Sequence, residues 1–158
     1  MPKNYFDERI AKSYEAKWPE IFEPAVVEAA VSFLADLAGS GAALELGVGT
    51  GRIALPLSTR GVRVHGIELS PAMVAEMRTK PGGDAIQVTI GDFATTRVDG
   101  SFELAYLVRN TITNLTTQDE QVEWPSFASR SSAKAGPPEQ VNVWGIDSRA
   151  GQAICSIG

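Results

Sequence analysis

Apolar residues in this chain recur with two periods. Near the start, Ile10, Tyr14 and Trp18 fall four apart, which predicts a helical face over residues 5–18 that stops at Pro19. Pro24 then opens a second helix at a position where its missing N–H costs little. Val26, Ala30, Phe33, Leu34 and Leu37 follow at helical spacing, and Gly39 is a natural stop. From Gly41 the period shortens. "AALEL" has the length of a buried strand, "IALPLSTR" reads as a helix that Pro56 distorts, and "VRVHGIEL" alternates through Val62 and Val64. "SPAMVAEMRTK" offers Ser70 as N-cap and Pro71 at the first helical position. "PGGD" is a turn. "AIQVTIGD" alternates through Ile86, Val88 and Ile90, and "FELAYLV" is a fourth strand. Thr117 and Glu120 have capping-box spacing and predict one more helix.

Strands alternating with helices predict an α/β fold, Rossmann-like and doubly wound, with a mostly parallel sheet and helices on both faces. The last third of the chain differs. Across residues 125–140 the only large apolar residue is Phe127, the pattern of a loop. Val141, Val143 and Ile146 are spaced for one more strand, and "AICSI" for a short one at most. The expected division is a domain over residues 1–123, with N-terminal helices in 1–40 and a core in 41–123. Residues 124–158 follow as a divergent, poorly ordered tail.

Composition narrows the classes. A length of 158 residues suits one core. The net charge of −5 argues against non-specific binding to nucleic acid or to anionic membranes. No apolar run approaches the length that spans a bilayer. The opening "MPKNYFDERI" lacks the apolar core of a secretory signal. With Cys155 alone, no intrachain disulfide is possible. A cytoplasmic protein with no metal site is the expectation.

The candidate chemistry lies in "ALELGVGTGR". Three glycines, Gly47, Gly49 and Gly51, follow the first strand directly. In an open parallel sheet, ligands bind beyond the carboxyl ends of the strands, where strand order reverses. Glycines there allow positive φ and let a ligand approach bare backbone. The nicotinamide fingerprint requires its third glycine or an alanine where this chain has Arg52, and a Walker loop requires a lysine that this turn lacks. Glu45, two residues before the first glycine, repels phosphate and welcomes an ammonium group. Glu68 ends the second strand about twenty residues further on, where a carboxylate accepts hydrogen bonds from ribose hydroxyls. Asp92 ends the third strand and Phe93 follows it. A carboxylate there suits the exocyclic amine of adenine, and the ring suits its face. Ammonium, ribose and adenine without phosphate describe S-adenosylmethionine.

These segments resemble, in order, the motifs of the class I S-adenosylmethionine-dependent methyltransferases of small-molecule type. "LELGVGTGR" looks like their first motif, "GIELSPAMV" their second and "IGDF" their third, and "FELAYLVRNTITNLTTQDEQ" resembles their fourth strand and following loop. The resemblance covers residues 5–123. It implies that Glu45, Gly47, Gly49 and Gly51 surround the methionine part of the cofactor and that Glu68 holds the ribose. It implies an adenine pocket lined by Leu69 and Met73, with Asp92 and Phe93 at its edge. Tyr14 would cap the cofactor, and Val108 would sit beside the transferring methyl group. The implied activity is methyl transfer to a small molecule. "VRNT" in place of an "NPPY"-like tetrapeptide speaks against a DNA base or a glutamine side chain as acceptor.

Bland readings stand beside the sharp ones. Met73 and Met77, four apart, have the spacing of helix packing. Phe93 has the character of a core aromatic as much as of a base cover. His65, inside the second strand, reads as structural, so no catalytic base is named. Arg109 replaces the bulky apolar residue common in relatives; it either lines an anionic substrate pocket or is a damaging substitution. After Glu123 the likeness fades, and Trp124-Pro125 cuts the helix opened by Thr117. A truncated or frame-altered chain is expected on that ground. Two alternatives stay open: a catalytically incompetent remnant that at most binds the cofactor, and a nucleotide-binding oxidoreductase.

Overall fold

The computed structural model describes residues 4–93, 95–96, 98–99 and 102–108, together with the backbone of 131–132 and 141–146. Helix α1 spans Glu8–Lys17, and the Asp7 side chain caps it by accepting from the Ile10 N–H at 2.9 Å. Helix α2, Pro24–Ala38, begins at the predicted proline and ends at Gly39, whose φ of 56° closes it. Strand β1 covers Ala42–Leu46, helix α3 Ala54–Thr59 and strand β2 Arg63–Glu68. Helix α4, Pro71–Arg78, has Ser70 as its N-cap as expected. Strand β3 is Gln87–Ile90 and β4 is Leu104–Val108. Two further strands follow, β5 at Ser131–Ser132 and β6 at Val141–Ile146.

Pro56 does not distort α3. It is the third residue of that helix, within the first turn, where backbone N–H groups have no partner inside the helix anyway.

The sheet order is β3-β2-β1-β4-β6-β5. The first four strands pair in parallel, β2 with β3, β1 with β2 and β1 with β4. The chain steps outward from β1 to β3, then returns past β1 to β4. This reversal puts the switch point at the carboxyl end of β1. Strand β6 runs antiparallel to β4, and β5 antiparallel to β6.

Alternation along the strands sends side chains to two faces. One face, with Ala43, Val64, Leu104 and Tyr106, meets Val31 and Leu34 of α2, Leu57 of α3 and Met77 of α4 in the larger core. The other face, with Leu44, Leu46, Ile67 and Leu107, is covered by Phe93, Val98 and Phe102 from the β3–β4 connection. That connection is helix-free among the described residues. The helix expected from Thr117, the strand expected in "AICSI", Arg109 and Cys155 lie outside the described residues. No helix among the described residues is long and apolar enough to cross a membrane.

Candidate functional site

The turn between β1 and α3 is built on left-handed backbone, with φ of 72° at Gly47, 59° at Gly49 and 82° at Gly51. Only glycine adopts this repeatedly without strain. The N–H groups of Gly47 and Val48 donate to the Ile67 carbonyl at 2.8 and 3.1 Å, which lays the turn across the end of β2. Glu68 then joins three segments, two through its carboxylate and one through its backbone carbonyl. Its Oε2 accepts from the Gly49 N–H at 2.8 Å and its Oε1 from the Ser70 N–H at 3.0 Å. Its own backbone carbonyl accepts from the Gly91 N–H at 2.9 Å. Glu68 is buried, and burial raises its pKa against the opposing pull of the Ser70, Gly49 and Leu69 N–H groups. Two N–H donors leave a carboxylate further lone pairs to offer.

The glycines differ in what surrounds them. A Cβ on Gly49 meets only the Met73 methyl, at 3.6 Å, and its own loop at 4.0 Å, so that side of the backbone is open. A Cβ on Gly51 meets the Met77 Cγ at 2.7 Å, its sulfur at 2.8 Å and the Leu55 Cγ at 2.9 Å. Gly51 therefore admits helix α4, and that direction is closed to a ligand.

Glu45 differs from its expectation as an open carboxylate. Its side chain points to the helix-covered face, is 4% exposed and accepts a hydrogen bond from the Tyr106 hydroxyl at 2.9 Å. Burial pushes its pKa up to about 8, outweighing the Tyr106 hydrogen bond and the Arg52 charge. Near neutral pH it holds its proton and carries no charge to attract an ammonium group. The cause is strand alternation: odd positions of β1 face the helices. Burial, with the neighbouring Glu45, in turn raises the Tyr106 phenol well above its ordinary range.

The remaining expected residues fall at the same sheet edge or beside it. Leu69 is half-buried after Glu68, and Met73 is buried one turn into α4. Asp92 is half-buried, and its carbonyl accepts from the N–H groups of Thr95 and Thr96 at 3.1 and 2.7 Å. The Phe93 ring packs into the smaller core, with Leu44, Leu46, Ile67 and Leu107. Val108 ends β4, buried, opposite Val141 of β6. Tyr14 sits among aromatic rings, with centroids 6.0 Å from Phe6, 5.0 Å from Trp18 and 6.1 Å from Phe22.

His65 belongs to neither the turn nor the strand ends. Its Nε2 lies 2.8 Å from the Thr89 hydroxyl, its ring stands edge-on to Phe102, and burial lowers its pKa. It lines a cavity of about 520 Å³ with Ala42 and Arg63, at the amino ends of the strands. No group of three metal-ligating side chains occurs among the described residues.

Sequence patterns gave no sign of a polar cluster beside the turn. The Lys80 ammonium donates to the Thr50 carbonyl at 3.0 Å and to the Glu15 carboxylate, which the Thr50 hydroxyl also meets at 3.4 Å. Arg52 donates to the Ile21 carbonyl at 2.7 Å. These partners stand 30 or more positions apart, beyond the reach of any local periodicity.

A family model described as a methyltransferase domain matches residues 43–124, from β1 past β4. The chain belongs to the S-adenosylmethionine-dependent methyltransferases. The domain is similar to the CcbJ methyltransferase from Streptomyces caelestis, at 36% identity and a TM-score of 0.64, over 73% of this chain and 48% of that one. It is also similar to an S-adenosylmethionine-dependent methyltransferase, a possible histamine N-methyltransferase, from Thermotoga maritima. That match has 26% identity and a TM-score of 0.54, over 74% and 52% of the two chains. The glycopeptide N-methyltransferase MtfA complexed with S-adenosylmethionine matches at 27% identity and a TM-score of 0.50, over 58% and 43%. No curated protein matches significantly. The chain spans about half the length of these solved structures. S-adenosylmethionine is the cofactor of this family, and the methyltransferase turn fits it on two counts. Its backbone is open at Gly49, and the Glu68 carboxylate stands beside it at the end of β2.

Proposed function

We propose that this methyltransferase domain binds S-adenosylmethionine at the carboxyl edge of its sheet and transfers the methyl group to a small-molecule acceptor. The observation that supports the reading best is Glu68, fixed by the Gly49 and Ser70 N–H groups at the switch-point edge. In this reading Glu68 takes the ribose hydroxyls with its remaining lone pairs. Gly47 and Gly49 present bare backbone to the methionine part, and Gly51 fixes the shape of the turn. Leu69 and Met73 line the adenine pocket, with Asp92 and Phe93 at its edge. Tyr14 and Val108 border the cofactor from α1 and β4.

The bound cofactor supplies a sulfonium methyl, an already activated electrophile. The work left to these residues is binding and orientation, which can supply much of the rate. A base is required only for an acceptor that carries a proton at the working pH. Residues 1–123 hold the site in this reading, and the sheet extends beyond them through β5 and β6. The acidic net charge favours a small molecule over nucleic acid, and with the single cysteine it goes with a cytoplasmic setting.

Titration calorimetry with S-adenosylhomocysteine tests the cofactor site. Saturable binding by the parent chain, abolished in Glu68→Ala and in Gly49→Arg, is the expected result. A folded parent that binds nothing overturns the proposal. Transfer of labelled methyl from S-adenosylmethionine to a panel of small amines and alcohols then tests the reaction; binding without transfer to any of them supports a cofactor-binding module instead.

A further inference from the structure

We propose that Lys80 is a positioning residue for the cofactor turn, fastening α1 and residues 47–51 into one unit; the inference rests on the cofactor reading above. Helix α1 packs against α4. It is tied down at both ends. Before its first turn, the Phe6 carbonyl accepts from the Ser70 hydroxyl. In its last turns, the Glu15 carboxylate accepts from the Lys80 ammonium.

Both ties are rooted in the two loops that build the site. Ser70 is fully buried, and its N–H holds Glu68 Oε1 at 3.0 Å. Glu68 Oε2 holds the Gly49 N–H at 2.8 Å. One residue further, the Thr50 carbonyl accepts from Lys80 at 3.0 Å. The contacts form a closed circuit: Phe6, Ser70, Glu68, Gly49, Thr50, Lys80, Glu15 and back through α1.

Removing the Lys80 side chain affects two elements at once, α1 through Glu15 and the turn through Thr50. Thr50 is 2% exposed and lies between two left-handed glycines. Its carbonyl sets the path of the turn, and a buried carbonyl that loses its donor drives the backbone to another path. The Lys80–Glu15 pair alone does less. Both side chains are partly exposed, and ion pairs of that kind contribute little. The Thr50 contact is what makes Lys80 a determinant of the turn.

Amide hydrogen exchange of the free, full chain tests the fastening, with Lys80→Met removing the charge and Lys80→Arg keeping it. In Lys80→Met, exchange at Gly51 and across α1 is expected to speed up by about tenfold while β2 amides keep their protection, and Lys80→Arg restores the parent pattern. Unchanged exchange at Gly51, or an equal rise throughout β2, overturns the proposal. Calorimetry with S-adenosylhomocysteine gives the second readout. Affinity is expected to fall by about tenfold in Lys80→Met and to recover in Lys80→Arg. Parent-like affinity in Lys80→Met overturns the positioning role. If the parent itself binds no S-adenosylhomocysteine, the cofactor reading fails, and the exchange data alone judge the fastening.

Discussion

Gly49 and Gly51 are two residues apart, share a left-handed backbone and answer to different demands. A methyl added at Gly51 collides with Met77 and Leu55, whereas one added at Gly49 meets only the tip of Met73. Gly51→Ala should therefore cost about 2–3 kcal/mol of stability, from overpacking joined to backbone strain. Gly49→Ala should cost about 1 kcal/mol and lose most of its affinity for S-adenosylhomocysteine. Denaturant midpoints and calorimetry on the two variants separate these outcomes. Glu45 supplies a pH dependence. Its folded pKa of about 8 stands above the ordinary 4.5, so across that window the folded state keeps a proton that the unfolded chain has released. Stability is thus full below pH 4.5 and is lost as pH rises toward 8. Glu68, also raised by burial, acts in the same direction. Glu45→Gln keeps an acceptor for Tyr106 and removes the titration. It should exceed the parent by about 1 kcal/mol at most at pH 5 and by about 4 kcal/mol at pH 8.5, read from urea midpoints at the two values.

At the scale of elements, the sequence is legible wherever a local signal decides. Alternation located β2 and β3, short apolar runs located β1 and β4, and Pro24, Gly39 and Ser70 fixed the helix ends, because caps and stops act over a few residues. Ser70→Ala removes both the cap on Met73 and the tie to Phe6, and should lower stability by about 1–2 kcal/mol in thermal melts, with Ser70→Thr losing less. Other features are set by partners far along the chain. Nothing in "VNVWGI" tells whether β6 runs with or against β4, since both pairings accept the same alternation. Glu45 looked like an open acid because it precedes the glycines. Its partner Tyr106 lies 61 residues away, and only the folded sheet brings the two together. The candidate site was legible as motifs, the turn and the acidic strand ends, but the circuit through Lys80 and Glu15 was not.

At the scale of the molecule, cofactor and fold stability are linked. A ligand that binds only the folded state stabilises it, by about 2.7 kcal/mol at a hundred times its dissociation constant. S-adenosylhomocysteine should therefore raise the melting temperature of the parent, and Glu68→Gln, which keeps an acceptor for only one of the two N–H groups, should melt below the parent and lose that rise; differential scanning fluorimetry measures both. The circuit that joins α1 to α4 also sets an order of events during synthesis. Helix α1 is made before its anchors, Ser70 and Lys80, which leave the ribosome more than fifty residues later. Translation proceeds at about 5–20 residues per second. For some seconds, then, the Phe6 carbonyl and the Glu15 carboxylate wait without their donors, the helix docks late, and any slowing of translation ahead of the Lys80 codon lengthens the time that a nascent chain offers an undocked α1 to chaperones.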